Sequence, residues 1–459
     1  MSFSAALLLA AVALDEAEQW PRFRGPDSIP VSANSDLPDR WSTSDNVEWA
    51  VEVPGVGWSS PIVWNDRVFL TSATSESPMK PPSLGTDFSN EYLAELRAEG
   101  LSPEEVNQRL YLRDREMPDE IVIGLGLYCF DLATGKLLWE RQVYHGRPRG
   151  GRHRKNSFAS ETPVTDGERV YAYFTQVGLY AYDFKGDAIW SVPLSPHATI
   201  RDYGTGASPV LHRERIFVLN DNESDAFVAA FEARSGKELW RAPRRFDEQR
   251  NTGWSTPFVW ENEMGAELVT LGPGAVVSYD LEGSELWRIS GMAGMPIQSP
   301  FAWNGLLFVT SGSSGGSGRT MAVIRATKGG EEKDRIVWED RLAGATYLPT
   351  PLVYEGALYV LSAKGILARY DARTGERVYR ARVSPEAAAF TASPWAYDGK
   401  VFALSEEGDT FVVEAGATYR LLGVNRLEDW ALATPAIAGD RLLVRTRSRL
   451  YSIRRRSGS

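Results

Sequence analysis

Residues 129–139 read Cys129-Phe130-Asp131-Leu132-Ala133-Thr134-Gly135-Lys136-Leu137-Leu138-Trp139. An apolar strand runs into an acid, a Thr-Gly turn follows, and a second strand ends on tryptophan. The pattern returns from Ala230 to Trp240 and from Arg369 to Tyr379, the last with Tyr in place of Trp. Two copies are one residue shorter, Ala181 to Trp190 and Ser278 to Trp287. In each, the acid suits the turn's backbone N–H groups and the glycine takes the left-handed position. The acids are therefore read as turn residues. A second marker opens each repeat: Ser60-Pro61, Thr162-Pro163, Ser208-Pro209, Thr256-Pro257, Ser299-Pro300, Thr350-Pro351, Ser393-Pro394 and Thr434-Pro435. After the first gap these dipeptides stand 46, 48, 43, 51, 43 and 41 residues apart. A period in the forties is the signature of a β-propeller, with one four-stranded sheet per repeat.

Polar pairs separate the first two strands of a repeat. Asn65-Asp66, Asp166-Gly167, Glu355-Gly356 and Asp398-Gly399 tolerate the positive φ of tight hairpins. The C-terminal run from Leu450 to Gly458 reads as a third strand entering its turn, with no fourth strand after it. Val47 to Val53 alternates like a strand and carries Trp49. The expectation is an all-β, eight-bladed propeller of four-stranded antiparallel blades over residues 46–456, whose N-terminal strand completes the last blade and removes the exposed edges. Blade 7 is degenerate, since Phe411 to Gly416 leads to no tryptophan, and blade 5 is lengthened by Lys328 to Asp334. Trp49, Trp139, Trp190, Trp240, Trp287 and Trp338, with Tyr379, are read as structural, because an indole offers large buried area and one donor.

The eleven-residue pattern resembles the tryptophan-docking motif, Ala-x-Asp-x-x-Thr-Gly-x-x-x-Trp, of the pyrroloquinoline-quinone (PQQ) repeat propellers. That family includes quinoprotein alcohol dehydrogenases and the assembly lipoprotein BamB. The resemblance implies that each of these tryptophans wedges between neighbouring blades. The opening Trp20-Pro21-Arg22-Phe23-Arg24-Gly25-Pro26 also resembles the leader of exported bacterial PQQ-like propellers.

Composition narrows the partners. Fifty basic against 60 acidic residues give a net charge of -10, which repels phosphate backbones, so no nucleic-acid partner is expected. The single cysteine, Cys129, excludes an intrachain disulfide. The apolar run Ala5 to Leu14 is too short to span a bilayer. It matches the core of a secretory signal, with Ala13 or Ala17 near a cleavage point and no basic leader. Residues 1–19 are thus expected to be a signal peptide and 20–45 an extended segment. The chain is expected to be periplasmic or secreted and monomeric, with no transmembrane helix and no cysteine for lipoprotein anchoring.

In an up-and-down blade the 1–2 and 3–4 turns share one end, and the 2–3 loops and interblade links share the other. Here the first set is short and regular. The second holds the irregular sequence, so function is expected on that loop face. Residues 75–125 form an insertion in blade 1, either a lid or docking element or a tolerated surface insertion; it opens with a Pro-rich stretch from Pro78 to Pro82 and holds two helical patterns. In the second, Ser102 is a candidate N-cap with Pro103 at the first helical position and Glu105 three residues on. The link from His145 to Ser157 carries Arg147, Arg149, Arg152, His153, Arg154, Lys155 and Asn156 with no acid. Such a loop clamps a carboxylate, a phosphate or an acidic partner, or pairs with acids elsewhere on the fold. Asp221, Glu223 and Asp225 alternate in a short acidic stretch, either a Ca²⁺ site or an Asx-rich turn. Arg201, Asp202, Tyr203, Arg250, Asn251, Trp254 and Gln298 precede first strands and are placed at the channel mouth.

No nucleophile elbow, phosphate loop or dinucleotide fingerprint is present. His145 and His153 are the only local histidine pair, a weak metal signal, and Gly312 to Gly318 has linker composition. The reading favoured is a non-enzymatic scaffold that binds a protein or peptide across the loop face, with no cofactor and no catalytic residue. The alternative implied by the resemblance is a quinoprotein alcohol or sugar dehydrogenase holding PQQ and Ca²⁺. Those dehydrogenases carry a disulfide between adjacent cysteines against the cofactor, which one cysteine cannot make.

Overall fold

The computed structural model describes residues 19–76, 90–106, 109, 121–246, 251–312, 321–340, 347–384, 386 and 388–455. The apolar run Ala5 to Leu14, the Pro78 to Pro82 stretch, Arg250 and most of the Gly312 to Gly318 segment lie outside the described residues.

Eight sheets of four strands form the fold. Blade 1 is Ile62–Trp64, Arg67–Ser75, Ile123–Asp131 and Leu137–Gly146, paired in that order and antiparallel. Blades 2 to 7 repeat the order along the chain. Blade 8 takes Ala436–Ala438, Arg441–Arg445 and Arg449–Arg454 from the C-terminus and Val47–Glu52 from the N-terminus. Ala50 stands opposite Tyr451 and Trp49 opposite Ser452, so the ring closes through its two chain ends. The second and third strands are buried on both faces and read as near-continuous apolar runs, such as Ile216 to Leu219 and Phe227 to Phe231. The fourth strands alternate exposed and half-buried residues because one face meets solvent.

The fourth-strand aromatics occupy one register position. Trp139 stands opposite Cys129, Trp190 opposite Ala181 and Trp240 opposite Ala230, each beside a bulge. From there the indole reaches the 3–4 turn of the next blade. Trp49 Nε1 donates to Leu132 O (2.9 Å), Trp139 to Phe184 O (3.0 Å), Trp190 to Ala233 O (3.0 Å), Trp240 to Leu281 O (2.8 Å) and Trp338 to Ala372 O (3.2 Å). A Cβ on Gly135, Gly236 or Gly375 would lie 2.6 Å from the ring that covers it. These glycines thus supply both the left-handed turn and the flat seat for the indole.

Trp287 departs from the pattern. Its Nε1 donates to Glu267 Oε2 (2.6 Å) inside its own blade, and Arg335 of blade 5 lies over its ring at 5.3 Å. The cause is the lengthened blade 5 connection, where a short helix, Glu332–Arg335, replaces the glycine turn. Tyr379 meets Tyr419 edge-on at 6.0 Å instead of a turn carbonyl.

The Ser/Thr-Pro dipeptides do more than open strands. Each first strand is the innermost of its blade, so the N–H just before it has no ladder partner. Ser60 N–H donates to Thr162 Oγ1 (2.9 Å), Thr162 to Ser208 Oγ (2.9 Å) and Ser208 to Thr256 Oγ1 (3.0 Å). Ser299 donates to Thr350 Oγ1 (3.0 Å), Thr350 to Ser393 Oγ (3.2 Å) and Ser393 to Thr434 Oγ1 (3.0 Å). Six of these hydroxyls therefore satisfy the previous blade's orphan amide, and proline holds the residue before it extended. At the seam between blades 8 and 1 the device changes. The buried Arg445 guanidinium donates to Ser59 O (3.1 Å), Ser59 Oγ (2.7 Å) and Thr71 O (2.8 Å), and burial pushes its pKa down to about 9.

The N-terminal segment runs across the ring, touching blades 1, 2, 6 and 7. Trp20 pairs with the inner edge of blade 1, exchanging backbone bonds with Val63 (2.9 and 2.8 Å). Pro21 O accepts from Thr165 N–H of blade 2 (3.0 Å). Arg24 donates to Thr350 O (3.0 Å) and Pro351 O (2.7 Å) of blade 6, across the ring, so the chain crosses the axis within three residues. Arg24 is 1% exposed, and burial pushes its pKa down to about 9. The segment then pairs with Ala396 of blade 7 through Pro30 O and Ser32 N–H, both at 3.0 Å. In the blade 1 insertion, Asn90–Ala98 is helical, and the Ser102 Oγ and N–H both donate to Glu105 Oε2 at 2.8 Å, the capping box the spacing predicts.

Candidate functional site: the loop face

The basic link between blades 1 and 2 divides into two parts. Its second half is built into the fold. Asn156 Nδ2 donates to Tyr203 O (3.3 Å) and Thr205 O (2.9 Å), and its Oδ1 accepts from Ser157 N–H (2.9 Å) and Ser160 Oγ (2.6 Å). His153 N–H donates to Tyr203 O (2.9 Å), and its ring meets Tyr203 edge-on at 4.8 Å. Gly151 N–H donates to Asp202 Oδ1 (2.8 Å); a Cβ there would fall 2.4 Å from Asp202 Oδ2, so only glycine fits. Arg152 donates to Asn156 O (3.0 Å) and lies over Phe158 at 5.6 Å. Arg154 is half-buried.

Lys155 ends in an ion pair with Glu406 of blade 7, 2.7 Å long. The carboxylate is 1% exposed and the ammonium side chain 22%. Thr391 Oγ1 adds a bond to Glu406 (2.6 Å), and Trp58 Nε1 fixes the Lys155 carbonyl (2.8 Å). Links from blades on either side of the seam are thereby tied across the channel mouth. Desolvation makes such a pair costly to break from one side only.

The first half of the link differs. Arg147 and Arg149 are exposed. The Arg149 guanidinium lies over the Tyr144 ring at 5.3 Å, and the Tyr144 hydroxyl donates to Arg147 O. The two cations are thus presented on a short, anchored stretch. His145 pairs with Glu76 at the base of the insertion (2.7 Å), so His145 and His153 have separate partners and form no metal pair.

The acidic stretch is also dispersed. Asp221 is locked to Arg244 through two bonds of 2.7 and 3.1 Å, both side chains 0% exposed. Glu223 accepts from Thr252 N–H (3.0 Å), Asn251 N–H (3.3 Å) and the Thr252 hydroxyl. Asp225 is exposed beside a shallow cavity with Arg245 and Phe246. Asn222 Oδ1, by contrast, accepts from Ser224 and Asp225 N–H (2.9 and 2.7 Å), which makes the stretch an Asx-type turn. The turn commits Asp221 and Glu223 to separate partners and leaves the Asp225 carboxylate at the surface. Among the described residues, no group of three His, Cys, Asp or Glu side chains is arranged to hold a metal.

Other mouth residues stitch link to link. Trp254 Nε1 donates to Gly204 O (2.8 Å) and its N–H to Pro296 O (2.9 Å). Tyr347 reaches Met295 Sδ (3.8 Å). Arg201 and Asp202 hold φ of 48° and 55°, a strained turn that sets the carbonyl of Tyr203 against the basic link. Sequence reasoning missed Glu161, Glu406 and Thr391, which carry no local motif. Glu161 is 2% exposed and has only hydroxyl and amide donors, Thr205 Oγ1 (2.6 Å), Thr175 Oγ1 (2.8 Å) and Thr175 N–H (3.4 Å); burial pushes its carboxyl up.

A profile of the family described as outer membrane protein assembly factor BamB matches residues 124–259 and 272–459, more than half of the chain. The chain belongs to the BamB family of PQQ-type propellers. No curated protein matches it. Among solved structures, BamB from Moraxella catarrhalis is 12% identical, with a TM-score of 0.52 over 74% of this chain and 95% of that one. Quinohemoprotein alcohol dehydrogenase ADHIIG from Pseudomonas putida is 13% identical, with a TM-score of 0.60 over 97% and 81%. The quinohemoprotein alcohol dehydrogenase from Comamonas testosteroni is 12% identical, with a TM-score of 0.57 over 95% and 80%. At these identities the likeness is one of fold.

The fold thus hosts both a BamB and PQQ enzymes, and the residues of this BamB-family chain can be tested against the cofactor. Cys129 is buried in the core between blades 1 and 2, where burial pushes its thiol up to about 12. Glu406, Asp221 and Glu223 each have committed protein partners. These three acids are thus engaged within the protein, whereas the buried Glu161 carboxylate has no cationic partner among the described residues.

Proposed function

We propose that this chain is a non-enzymatic scaffold that binds an acidic protein or peptide partner through its loop face. One observation carries the reading. The basic link is pinned by Asn156, His153 and Lys155, while Arg147 and Arg149 stand exposed on a molecule of net charge -10. An arginine held over a tyrosine ring loses little freedom on binding, and its planar fork suits carboxylates. The reading also includes export to the cell envelope and action as a monomer. No helix among the described residues is long and apolar enough to cross a membrane.

The test is binding of an acidic partner to the full chain. A fluorescein-labelled Glu-rich peptide, titrated at low and high salt, is expected to bind with salt-sensitive affinity. Arg147→Glu with Arg149→Glu is expected to weaken it at least tenfold and leave the melting temperature unchanged. Equal affinity for wild type and the double variant would remove this surface from the account.

A further inference from the structure

Seven blades place an aromatic residue at the same register position of the outermost strand, and blade 7 places Gly423 there. In blades 1 to 3 that residue packs on a second-strand ring two steps inward in the same row. Trp139 lies 5.9 Å from Phe69, Trp190 lies 5.8 Å from Tyr171 and Trp240 lies 6.1 Å from Phe217. The matching row of blade 7 is Phe402, Val412, Gly423. A Cβ on Gly423 would meet nothing within 4 Å, so backbone crowding is not why the row ends in glycine.

An indole lies on Phe402 all the same. Trp41, from the N-terminal segment, stacks on it at 6.1 Å with 23° between the planes and is 4% exposed. It shares one apolar cluster with Phe402, Val412, Ala436 and Leu443, the packing between blades 7 and 8. The segment is held to the strand that lacks the tryptophan. Trp41 N–H donates to Asn425 Oδ1 (3.1 Å), and Asn425 Nδ2 donates to Asp39 O (3.0 Å), two residues beyond Gly423. The Tyr397 hydroxyl fixes Pro38 O (2.5 Å).

The usual seat for an indole is missing here too. A fourth-strand tryptophan docks on the next blade's 3–4 turn, but in blade 8 those two strands come from opposite chain ends. Residues 41–46 run where that turn would lie, with Arg454 N–H donating to Asn46 O (2.8 Å) and Asn46 Nδ2 to Arg40 O (2.7 Å).

We propose that Trp41 is the interblade indole of the junction between blades 7 and 8, delivered by the N-terminal segment to the place Gly423 leaves open. The polarity is reversed: at five junctions blade n sends its indole to the turn of blade n+1, whereas here the chain entering blade 8 sends one back onto blade 7. Seating the segment, anchoring Arg24 to blade 6 and closing the last junction are then a single event. The segment is a strap whose release would open that junction.

Four full-length chains test this: wild type, Trp41→Leu, Gly423→Trp, and the double variant, compared by thermal unfolding and by tryptic cleavage after Arg40. Trp41→Leu is expected to lower the melting temperature by several degrees and speed cleavage at Arg40. Gly423→Trp is expected to destabilise wild type, because two indoles compete for one site, yet to stabilise the Trp41→Leu chain. That reversal of sign is the signature; a merely apolar role for Trp41 would not produce it. The proposal is overturned if Gly423→Trp has the same sign in both backgrounds, or if Trp41→Leu melts and is cleaved like wild type. Should Trp41→Leu not accumulate folded, Trp41→Phe serves as the background and the same sign comparison decides.

Discussion

Replacing Asp221 with alanine is expected to destabilise the protein by about 3–5 kcal/mol, the cost of leaving one member of a buried pair uncompensated. The Arg244 guanidinium has no route to water: its side chain and that of Asp221 are both 0% exposed. After the substitution it keeps only the Thr270 and Tyr279 hydroxyls, the latter at 3.3 Å, together with the Phe246 ring at 4.6 Å. Equilibrium urea unfolding reads the loss where unfolding is reversible, and inactivation half-lives read it otherwise. Two controls sharpen the result. Glu282→Ala removes an exposed pair with Arg215 and is expected to change stability by less than about 0.5 kcal/mol. Asp221→Leu combined with Arg244→Met removes both charges and is expected to recover most of the loss. A small effect for Asp221→Ala would mean that the pair is hydrated.

Trp190→Ala is expected to cost about 3 kcal/mol, at the low end for loss of a large aromatic because the indole is only partly buried. The ring packs on Tyr171 at 5.8 Å, donates to Ala233 O and covers Gly236, so the truncation removes packing in two blades and leaves a carbonyl without its donor. Gly236→Val attacks the same contact from the other side and adds strain at a φ of 72°. Its loss is expected to be comparable. Leu239→Ser, on the neighbouring blade's outer strand and 42% exposed at the start, is expected to be nearly neutral. Denaturation midpoints for the three variants check the ordering. If Trp190→Ala proved as mild as Leu239→Ser, the indoles would be decoration and not the ties between blades.

What could be read from the sequence follows from where each interaction's partners lie. The turn acids, their glycines and the Ser102 cap act within a few residues, so their patterns are local and their spacing exposes them. The blade count and the pairing of Val47–Glu52 with the C-terminal strand followed from the same repeat. The hydroxyl links were hidden because the Ser/Thr residues that make them serve amides one repeat away, and the proline beside each drew the whole signal toward strand initiation. Lys155 looked like one more surface cation until Glu406, 251 residues distant, supplied its partner. The pairing of Asp221 was hidden for the same reason, since Arg244 lies beyond the acidic stretch that drew attention to it. Trp287 ended a shortened copy of the docking pattern, yet the turn it needed had been replaced in the following blade. The site was therefore legible as a face of the molecule and only in part as a set of residues.

The central claim is that this loop face binds a polypeptide and not a redox cofactor. It is tested most directly by calorimetric titration of PQQ into the full-length chain in the presence of Ca²⁺, with dye-linked alcohol and aldose oxidation followed on the same sample. The account predicts no saturable binding heat and no turnover above the rate of free PQQ with Ca²⁺. Stoichiometric binding accompanied by turnover would contradict it.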